Sequence, residues 1–243
     1  MRLDVCFSPG EIVPSELAGR TAVVIDVLRA STSIVEALAA GAKAIYPVPS
    51  IEEALRLANS LGRQSVLLAG ERRRLPIEGF DLGNSPAEFS AAKVAGKTLI
   101  MSTTNGTVVF GHAAAADRVL VAALRNLAAV TDELIRTGAE PVLLCSGRDR
   151  QFALEDALCA GMLAAGLRSS AAAAWQMNDA AVAAIALADR FGRPDELFPT
   201  TDAGRAIIEV GLGDDLPFCA EMNRHQVVPV FHDRHITAAP ATL

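Results

Sequence analysis

Acidic, basic and hydroxyl side chains gather after four short apolar stretches of the sequence. The first of these stretches is 21–26 and the last is 141–146. Carboxylates are the hard oxygen ligands that Mg²⁺ prefers, and arginine grips phosphate or sulfonate oxygens with a planar fork of N–H groups. The residue types therefore predict a site for a phosphorylated anion and a divalent metal. The candidates are Asp26, Arg29, Glu71, Arg72, Thr103, Thr104, Asn105, Gly106, Thr107, Arg148 and Asp156.

Two further segments contribute candidates. If residues 103–107 open a helix, their backbone N–H groups and hydroxyls point at a bound anion, and Gly106 lets the backbone approach it closely. The segment 72–85 is longer than a routine strand-to-helix connection, which is typical of a binding loop. It contains Asn84, a candidate substrate-binding residue like Arg72, Arg148 and the 103–107 turn. It also contains a fourth acid, so the predicted metal ligands are Asp26, Glu71, Asp81 and Asp156.

Each of these motifs also has an ordinary structural interpretation. Asp26 and Arg29 could form an ion pair at a helix start, and 71–74 could be a solvated charged run. Residues 103–107 could be only a turn, and the acids at 155–156 could simply favour a helix dipole. Their shared position favours function, because ligands of open α/β sheets bind outside the carboxyl ends of the strands.

Six short, mostly apolar runs alternate with helical segments through the first two thirds of the chain. Continuous apolar strands separated by helices are typical of a largely parallel sheet that is covered on both faces. The sequence therefore predicts an α/β fold with three layers, α/β/α, a largely parallel or mixed sheet and a helix-rich C-terminal third. The predicted strands are 21–26, 42–48, 64–69, 97–102, 118–122 and 141–146.

Capping residues mark three predicted helix starts. Ser50 with Glu53 forms one capping box, and Ser85 with Glu88 forms a second one that has proline at the first helical position. Asn126 is the candidate cap of the third helix, because a side-chain oxygen at this position can accept a free backbone N–H.

The last third of the sequence differs from the rest. Residues 154–190 are Ala-rich and predict helices, 226–231 predict a returning strand, and 232–243 predict a short tail. Because no linker or fixed repeat divides the chain, we expect a single domain over 1–243, with a subdivision near residue 150 as the alternative.

Composition and charge argue against several classes of function. The chain of 243 residues has 28 acidic and 22 basic residues, and its net charge of -6 argues against nucleic-acid binding. No apolar stretch reaches the ~18–20 residues that cross a bilayer, and the N-terminus lacks the apolar segment of a signal peptide. The four cysteines are widely spaced and predict reduced thiols. We expect a cytoplasmic protein that binds neither membrane nor nucleic acid, either as a monomer or as a homo-oligomer.

The ordered succession of these motifs resembles one family, the ComB-type 2-phosphosulfolactate phosphatases. The resemblance implies a Mg²⁺-dependent phosphatase that hydrolyses 2-phospho-3-sulfolactate to sulfolactate and phosphate, a step in coenzyme M biosynthesis. Such a substrate is a small, multiply charged anion, which agrees with the arginines and carboxylates above. The matching strings cover nearly the whole chain and are 24–32, 70–72, 79–86, 103–107, Asn126 and 155–161, with 215–223 and Val228–Pro229 similar to the family's ending.

The chain departs from the family pattern in two places. Ser31 and Ser33 stand where threonines are expected, so hydroxyl chemistry is retained there. Residues 145–148 are more polar than the Ala-Gly expected, and Arg148 at the mouth of the site could alter the substrate.

The expected mechanism combines a metal with the residues after the strands. Bound Mg²⁺ would polarise the phosphoryl oxygens, while Arg29 and the 103–107 turn bind the remaining charge. Either a metal-bound water attacks in line, or Asp26 attacks and forms an aspartyl phosphate, and the sequence leaves both routes open. The predicted catalytic residues are Asp26, Arg29, Glu71 and Asp156.

Two other functions use the same residues differently. A non-catalytic binder of phosphorylated acids would need the same anion pocket. A nucleotide-dependent transferase would need 91–98 to be a phosphate-binding loop. That segment nearly matches the P-loop motif, but the motif requires a strand before it and a helix after it, and here the predicted order is reversed.

Overall fold

The structure is a computed structural model, and it describes residues 1–170 and 174–239. The side chains of residues 106–108 lie outside the described part. Strands and helices alternate along most of the chain. The strands are β1 (Arg2–Cys6), β2 (Thr21–Ile25), β3 (Ala44–Pro47), β4 (Val66–Arg72), β5 (Leu75–Pro76), β6 (Thr98–Ser102), β7 (Arg118–Ala122), β8 (Pro141–Cys145), β9 (Gln176–Met177), β10 (Pro229–His232) and β11 (His235–Ala238).

Helices follow most of the strands and dominate the last third of the chain. None of the helices in the described ranges is long and apolar enough to span a membrane. The helices are α1 (Ala30–Ala39), α2 (Ile51–Leu61), α3 (Ala91–Val94), α4 (Gly106–Ala113), α5 (Leu127–Thr137), α6 (Leu154–Ser169), α7 (Asp179–Arg190), α8 (Pro194–Leu197), α9 (Asp202–Glu209) and α10 (Asp215–Ala220).

Alternate side chains of β2 enter two different apolar cores. Val23 and Ile25 pack in a core with α5, α6 and α7, while Ala22 and Val24 pack in a core with α1 and α4. Because successive side chains of a strand point to opposite faces, the sheet lies between two helical layers. This arrangement confirms the predicted three-layer α/β/α fold. Small residues let neighbouring helices of one layer approach closely: a Cβ on Gly161 of α6 would lie 1.9 Å from the carbonyl oxygen of Ala184 in α7.

The eleven strands form one mixed sheet in the order β5-β4-β6-β3-β11-β10-β7-β2-β8-β1-β9. It contains two parallel blocks, β4-β6-β3 and β7-β2-β8-β1-β9. The hairpin β10-β11 joins them, and its antiparallel pairing with β7 on one side and β3 on the other makes the blocks run in opposite directions.

The carboxyl ends of the two blocks lie close together although the blocks run in opposite directions. The usual rotation between neighbouring strands, about 20–25°, would turn strand direction by roughly 120–150° over the six steps from β4 to β2, which agrees with this convergence. Two hydrogen bonds connect the loops that follow the blocks. Arg29 after β2 donates to the carbonyl oxygen of Arg74 after β4, and the backbone N–H of Asp149 after β8 donates to Asn105 after β6.

The structure confirms the six predicted strands of the first two thirds, with shifts of a few residues at their ends, and the returning strand predicted at 226–231, which is β10. It adds four strands that the sequence analysis did not assign, namely β1, β5, β9 and β11. The predicted tail at 232–243 is wrong over 235–238, because these residues form β11 inside the sheet, where Ile236 is fully buried. Residues 240–243 lie outside the described part.

All three predicted residues occupy N-cap positions, but only Ser50 makes the side-chain capping hydrogen bond. The Ser50 side chain accepts the backbone N–H of Glu53 at the start of α2. Ser85 instead donates its hydroxyl to Asp215, and only a short 3-10 turn follows it. Asn126 uses its side chain to accept the N–H of Ala123 and to donate to two carbonyl oxygens, so it fixes the loop rather than capping α5.

Candidate active site

A cavity of about 370 Å³ lies where the carboxyl ends of β2, β4, β6 and β8 meet. Its volume is in the range of small-molecule sites. Most of its lining is charged or polar, and only a few apolar side chains, such as Ile207 of α9, reach it. The predicted residues among its lining are Asp26, Arg29, Glu71, Arg72, Asn84, Thr103, Thr104, Asn105, Arg148 and Asp156.

Asp26 lies in the tight turn between β2 and α1. Its Oδ1 accepts the backbone N–H of Ala30 at 3.2 Å, and its own N–H donates to the Ser31 hydroxyl at 2.9 Å. The side chain is buried, and burial together with nearby Glu71 and Glu155 raises the pKa of Asp26 from 3.8 to about 7. Asp26 is therefore poised to bind a cation or to exchange a proton near neutral pH.

Asp156, in the first turn of α6, connects the β2 and β8 loops. It accepts the backbone N–H of Val27 at 2.8 Å and that of Gly147 at 3.0 Å. Gly147 has φ 64°, and a Cβ there would lie 2.1 Å from the carbonyl oxygen of Gln151, so the loop requires glycine. Burial, and the charges of Asp26 and Glu155, raise the pKa of Asp156. Asp156 thus faces the site and does more than favour the helix dipole.

Glu71 connects the β4 and β6 loops. It accepts the backbone N–H of Arg74 and that of Thr104, both at 2.7 Å. The Thr104 N–H therefore points at a carboxylate, which reduces the donors that the predicted anion-binding turn can offer. Thr103 and Asn105 line the cavity beside it, and α4 begins directly afterwards. The side chains of Gly106 and Thr107 lie outside the described residues.

Two of the three predicted arginines, Arg29 and Arg72, are held by protein groups. Arg29 donates to Asp215 at 2.5 Å and to the carbonyl oxygen of Arg74 at 2.8 Å. Arg72 donates to the carbonyl oxygens of Glu71 and Ser102 at 2.7 and 3.1 Å, and to the Ser102 hydroxyl at 2.8 Å. These contacts fix both guanidinium groups against the wall of the cavity.

Asn84 and Asp81 come from the same loop but have different surroundings. Asn84 is buried against the cavity, and its side-chain oxygen has no hydrogen-bond partner among the described residues. A buried amide oxygen without a partner suits a group that binds a ligand. Asp81 does not line the cavity. It pairs with Arg63 at 3.0 Å and accepts the N–H of Leu68, so our prediction of Asp81 as a metal ligand is corrected to a structural role.

The cavity's donor groups suit a hard divalent cation held by few protein ligands. Across the described residues, no three His, Cys, Asp or Glu side chains converge closely enough to hold an ion, so the predicted four-carboxylate set is not assembled. Mg²⁺ usually takes only one or two carboxylates and completes its shell with water and phosphate oxygens. Asp26 and Asp156 fit this pattern, because both are buried at the cavity and the charge of Asp26 raises the pKa of Asp156.

Several residues of the cavity were not among the predicted ones. Glu155 lies beside Asp156, and burial raises its pKa. The two adjacent acids in the sequence were the available signal, but only Asp156 was predicted as a site residue. The other residues could be recognised only from the fold, because turns and a distant helix place them at the cavity. Arg73, Arg74 and Asp149 line the cavity, and Asp215 forms an ion pair with Arg29.

Comparison with known proteins identifies the family. The family model described as 2-phosphosulpholactate phosphatase matches residues 6–234, which is nearly the whole chain. The protein belongs to the 2-phosphosulpholactate phosphatase family. Its relatives include a probable 2-phosphosulfolactate phosphatase of Symbiobacterium thermophilum, 40% identical over 91% of this chain and 95% of the relative. A protein of the same description in Carboxydothermus hydrogenoformans is 40% identical over 96% of this chain and 94% of the relative. Another in Clostridium perfringens is 38% identical over 97% of this chain and 96% of the relative.

Membership of the 2-phosphosulpholactate phosphatase family confirms the resemblance inferred from the motifs. The expected enzyme class, a phosphoric monoester hydrolase, agrees with the names of these relatives. The segment 91–98 forms helix α3 followed by β6 and does not line the cavity, so the geometry gives the nucleotide-transferase interpretation no support.

Proposed function

We propose that the protein hydrolyses the phosphate ester of 2-phospho-3-sulfolactate, or of a closely similar phosphorylated hydroxy acid, to the hydroxy acid and phosphate. The observation that carries this proposal is one cavity in which four buried carboxylates meet five arginines. Arginines suit the negative charges of such a substrate, while buried carboxylates suit a metal ion and proton transfer. Membership of the family supports the choice of reaction.

We propose Mg²⁺ as the cofactor, held by Asp26 and Asp156. Asp26 Oδ2 makes no hydrogen bond within the described residues, and each Asp156 oxygen accepts a single N–H, which leaves lone pairs for a cation. When bound, Mg²⁺ would neutralise these carboxylates and polarise the phosphoryl oxygens. Glu71 is committed to two backbone N–H groups and serves to hold the β4 and β6 loops in register.

Hydrolysis requires a nucleophile at phosphorus and a proton for the departing hydroxyl oxygen. Asp26 either attacks phosphorus itself or takes the proton from an attacking water, and both roles need its carboxylate form. Glu155 is the proposed proton donor, because burial raises its pKa and it lies on the cavity wall. The P–O bond breaks as the proton passes to the leaving oxygen, and Arg29 faces the charge on the phosphoryl group.

The two roles of Asp26 predict different intermediates. A burst of phosphate covalently attached to the protein in rapid-quench experiments indicates attack by Asp26. Inversion of configuration at a chirally labelled phosphorus indicates direct attack by water, because two successive displacements through an aspartyl phosphate would retain the configuration.

We also propose that the protein acts in the cytoplasm and in coenzyme M biosynthesis, as the family's motifs imply. Its partner in this proposal is the small anionic substrate, and we propose no nucleic-acid partner because the chain is acidic.

A screen of phosphorylated hydroxy acids, with Mg²⁺ and with EDTA, tests the proposed function. We expect phosphate release from 2-phosphosulfolactate to exceed release from other esters, and to disappear with EDTA and return with added Mg²⁺. Binding of the ester without release of phosphate under any metal would instead identify a non-catalytic binder.

A further inference from the structure

The arginines nearest the carboxylates have few donors left for a substrate. Arg29 is 3% exposed and is bonded to Asp215 and to a carbonyl oxygen. Arg72 gives its Nη groups to Ser102 and to the carbonyl oxygen of Glu71. A substrate with more than one acidic group therefore needs further cations in this cavity.

Arg73 and Arg74 supply cations without partners. They form the two-residue turn between β4 and β5, where Arg72 pairs with Leu75, and both line the cavity. In the part of the chain that the structure describes, neither guanidinium takes part in a hydrogen bond or an ion pair. Both groups are thus available to a bound anion.

The backbone of this turn is unusual for arginine. Arg73 has φ 52° and Arg74 has φ 73°, in the left-handed region that two-residue hairpins normally fill with Asn-Gly. Conformations of this kind persist where the surrounding contacts impose them. Here Glu71 accepts the N–H of Arg74, and Arg29 donates to its carbonyl oxygen. Two residues of the proposed catalytic site therefore set the position of the Arg73–Arg74 turn.

Arg148 adds a third cation from the other parallel block. Its carboxylate contacts are long, 3.6 Å to Asp149 and 4.0 Å to Asp202. Its Nε is buried and lacks a hydrogen-bond partner among the described residues. The cavity thus combines buried carboxylates with three arginines that keep donors free.

We propose that Arg73, Arg74 and Arg148 form a second anion subsite, which binds the sulfonate or carboxylate that does not react. This inference rests on the proposed function and adds to it the residues that select a substrate with a second acidic group. A guanidinium donates two parallel N–H bonds to a sulfonate or carboxylate, and such bidentate pairs are among the stronger hydrogen bonds. The phosphoryl group is then left to the carboxylates, the metal and Arg29.

Substitution of Arg74 by glutamine tests this subsite, with Arg150 as a matched control. Arg150 also lies in a turn at positive φ, 64°, but does not line the cavity. The measurement is the ratio of kcat/KM for 2-phosphosulfolactate to kcat/KM for phenyl phosphate, which has no second acid. We expect R74Q to lower this ratio at least ~10-fold, mainly through KM for the acid, because it loses charge-assisted hydrogen bonds. R150Q should keep the wild-type ratio.

Two further variants separate binding from folding. Among the described residues, the Arg73 backbone makes no hydrogen bond with Glu71 or Arg29, so R73Q should lower the ratio without disturbing the turn. R74K keeps the charge but loses the planar guanidinium that donates two parallel hydrogen bonds, and it should give a ratio between those of wild type and R74Q. An unchanged ratio in both R73Q and R74Q overturns the proposed subsite. An equal loss of kcat/KM for both esters overturns it as well.

Calorimetric titration of ligand binding tests the subsite independently of the proposed reaction. If wild-type protein releases phosphate from neither ester, the proposed function is wrong, but the subsite can still be measured with 3-sulfolactate, lactate and inorganic phosphate. The subsite predicts that R74Q weakens binding of 3-sulfolactate at least ~10-fold more than binding of phosphate. Comparison of 3-sulfolactate with lactate shows whether the sulfonate or the carboxylate is bound. Equal weakening of 3-sulfolactate and phosphate contradicts the subsite.

Discussion

At the scale of single residues, the site is defined by buried carboxylates that oppose one another's ionisation. Asp26, Glu155 and Asp156 all have raised pKa values, and burial is the main cause for each. Because a folded-state pKa above the unfolded value means that the folded protein holds extra protons, ionisation of these groups destabilises the fold. A bound cation would remove this cost.

The pKa of Asp26 leads to a prediction about stability and pH. Between its ordinary value of 3.8 and about 7, the folded protein binds more protons than the unfolded chain. The contribution of Asp26 to the free energy of unfolding of metal-free protein should therefore fall as pH rises through this window and level off above it. Thermal unfolding in EDTA from pH 5 to 8 should show a shallower decline for D26N than for wild type. D81N, outside the cavity, should follow wild type, and equal slopes for D26N and wild type would contradict the account.

At the scale of elements, short segments far apart in sequence fix one another. The start of α10 holds the turn before α1, since Asp215 pairs with Arg29 at 2.5 Å and accepts the Ser85 hydroxyl at 2.5 Å. The sequence could not reveal this link, because it depends on how residues 186 positions apart meet.

Loss of the Asp215 carboxylate should weaken both the fold and catalysis. D215N leaves the buried Arg29 without its counter-ion, and breaking a buried pair in this way costs about 3–5 kcal/mol. Chemical denaturation should show this loss, and kcat should fall because Arg29 is no longer held. Asp214 is exposed at the same helix start, so D214N is the control. A stability loss equal to that of D214N would show that the pair is dispensable.

Local sequence patterns predicted some elements better than others. Apolar strands such as β2 and β8 were recognisable because both faces are buried. β1 escaped because Asp4 interrupts its apolar pattern, and only the fold supplies the partner, Arg20, at 2.5 Å. Local signals failed where tertiary contacts took over the side chain, as at Ser85, whose hydroxyl serves Asp215 instead of a helix.

At the scale of the whole molecule, the site depends on a sheet made of two opposed parallel blocks. The sequence patterns placed the polar residues after strand ends and predicted a largely parallel or mixed sheet, but they did not predict two opposed blocks joined by a hairpin. The two blocks that converge are joined by the hairpin β10-β11, whose residues were predicted as a strand and a tail. Pairings between distant segments set this topology, and local patterns carry no information about them.

The hairpin should therefore be important to the stability of both blocks. Ile236 is fully buried between β10 and β3, where it pairs with Ile45. I236A should lower the free energy of unfolding by about 2–5 kcal/mol while unfolding remains a single transition. Ile208, 47% exposed, provides the control I208A. A loss below about 1 kcal/mol for I236A, which is typical of surface changes, would contradict this role.

The central claim is that Asp26 acts in a phosphatase site to which Asp81 does not belong. The most direct test is phosphate release from 2-phosphosulfolactate with Mg²⁺ by wild type, D26N and D81N, each shown to be folded. The account predicts a loss of at least ~100-fold in kcat for D26N, the scale of removing a group that acts in the transition state, and near wild-type activity for D81N. Full activity in D26N, or an equal loss in D81N, would contradict it.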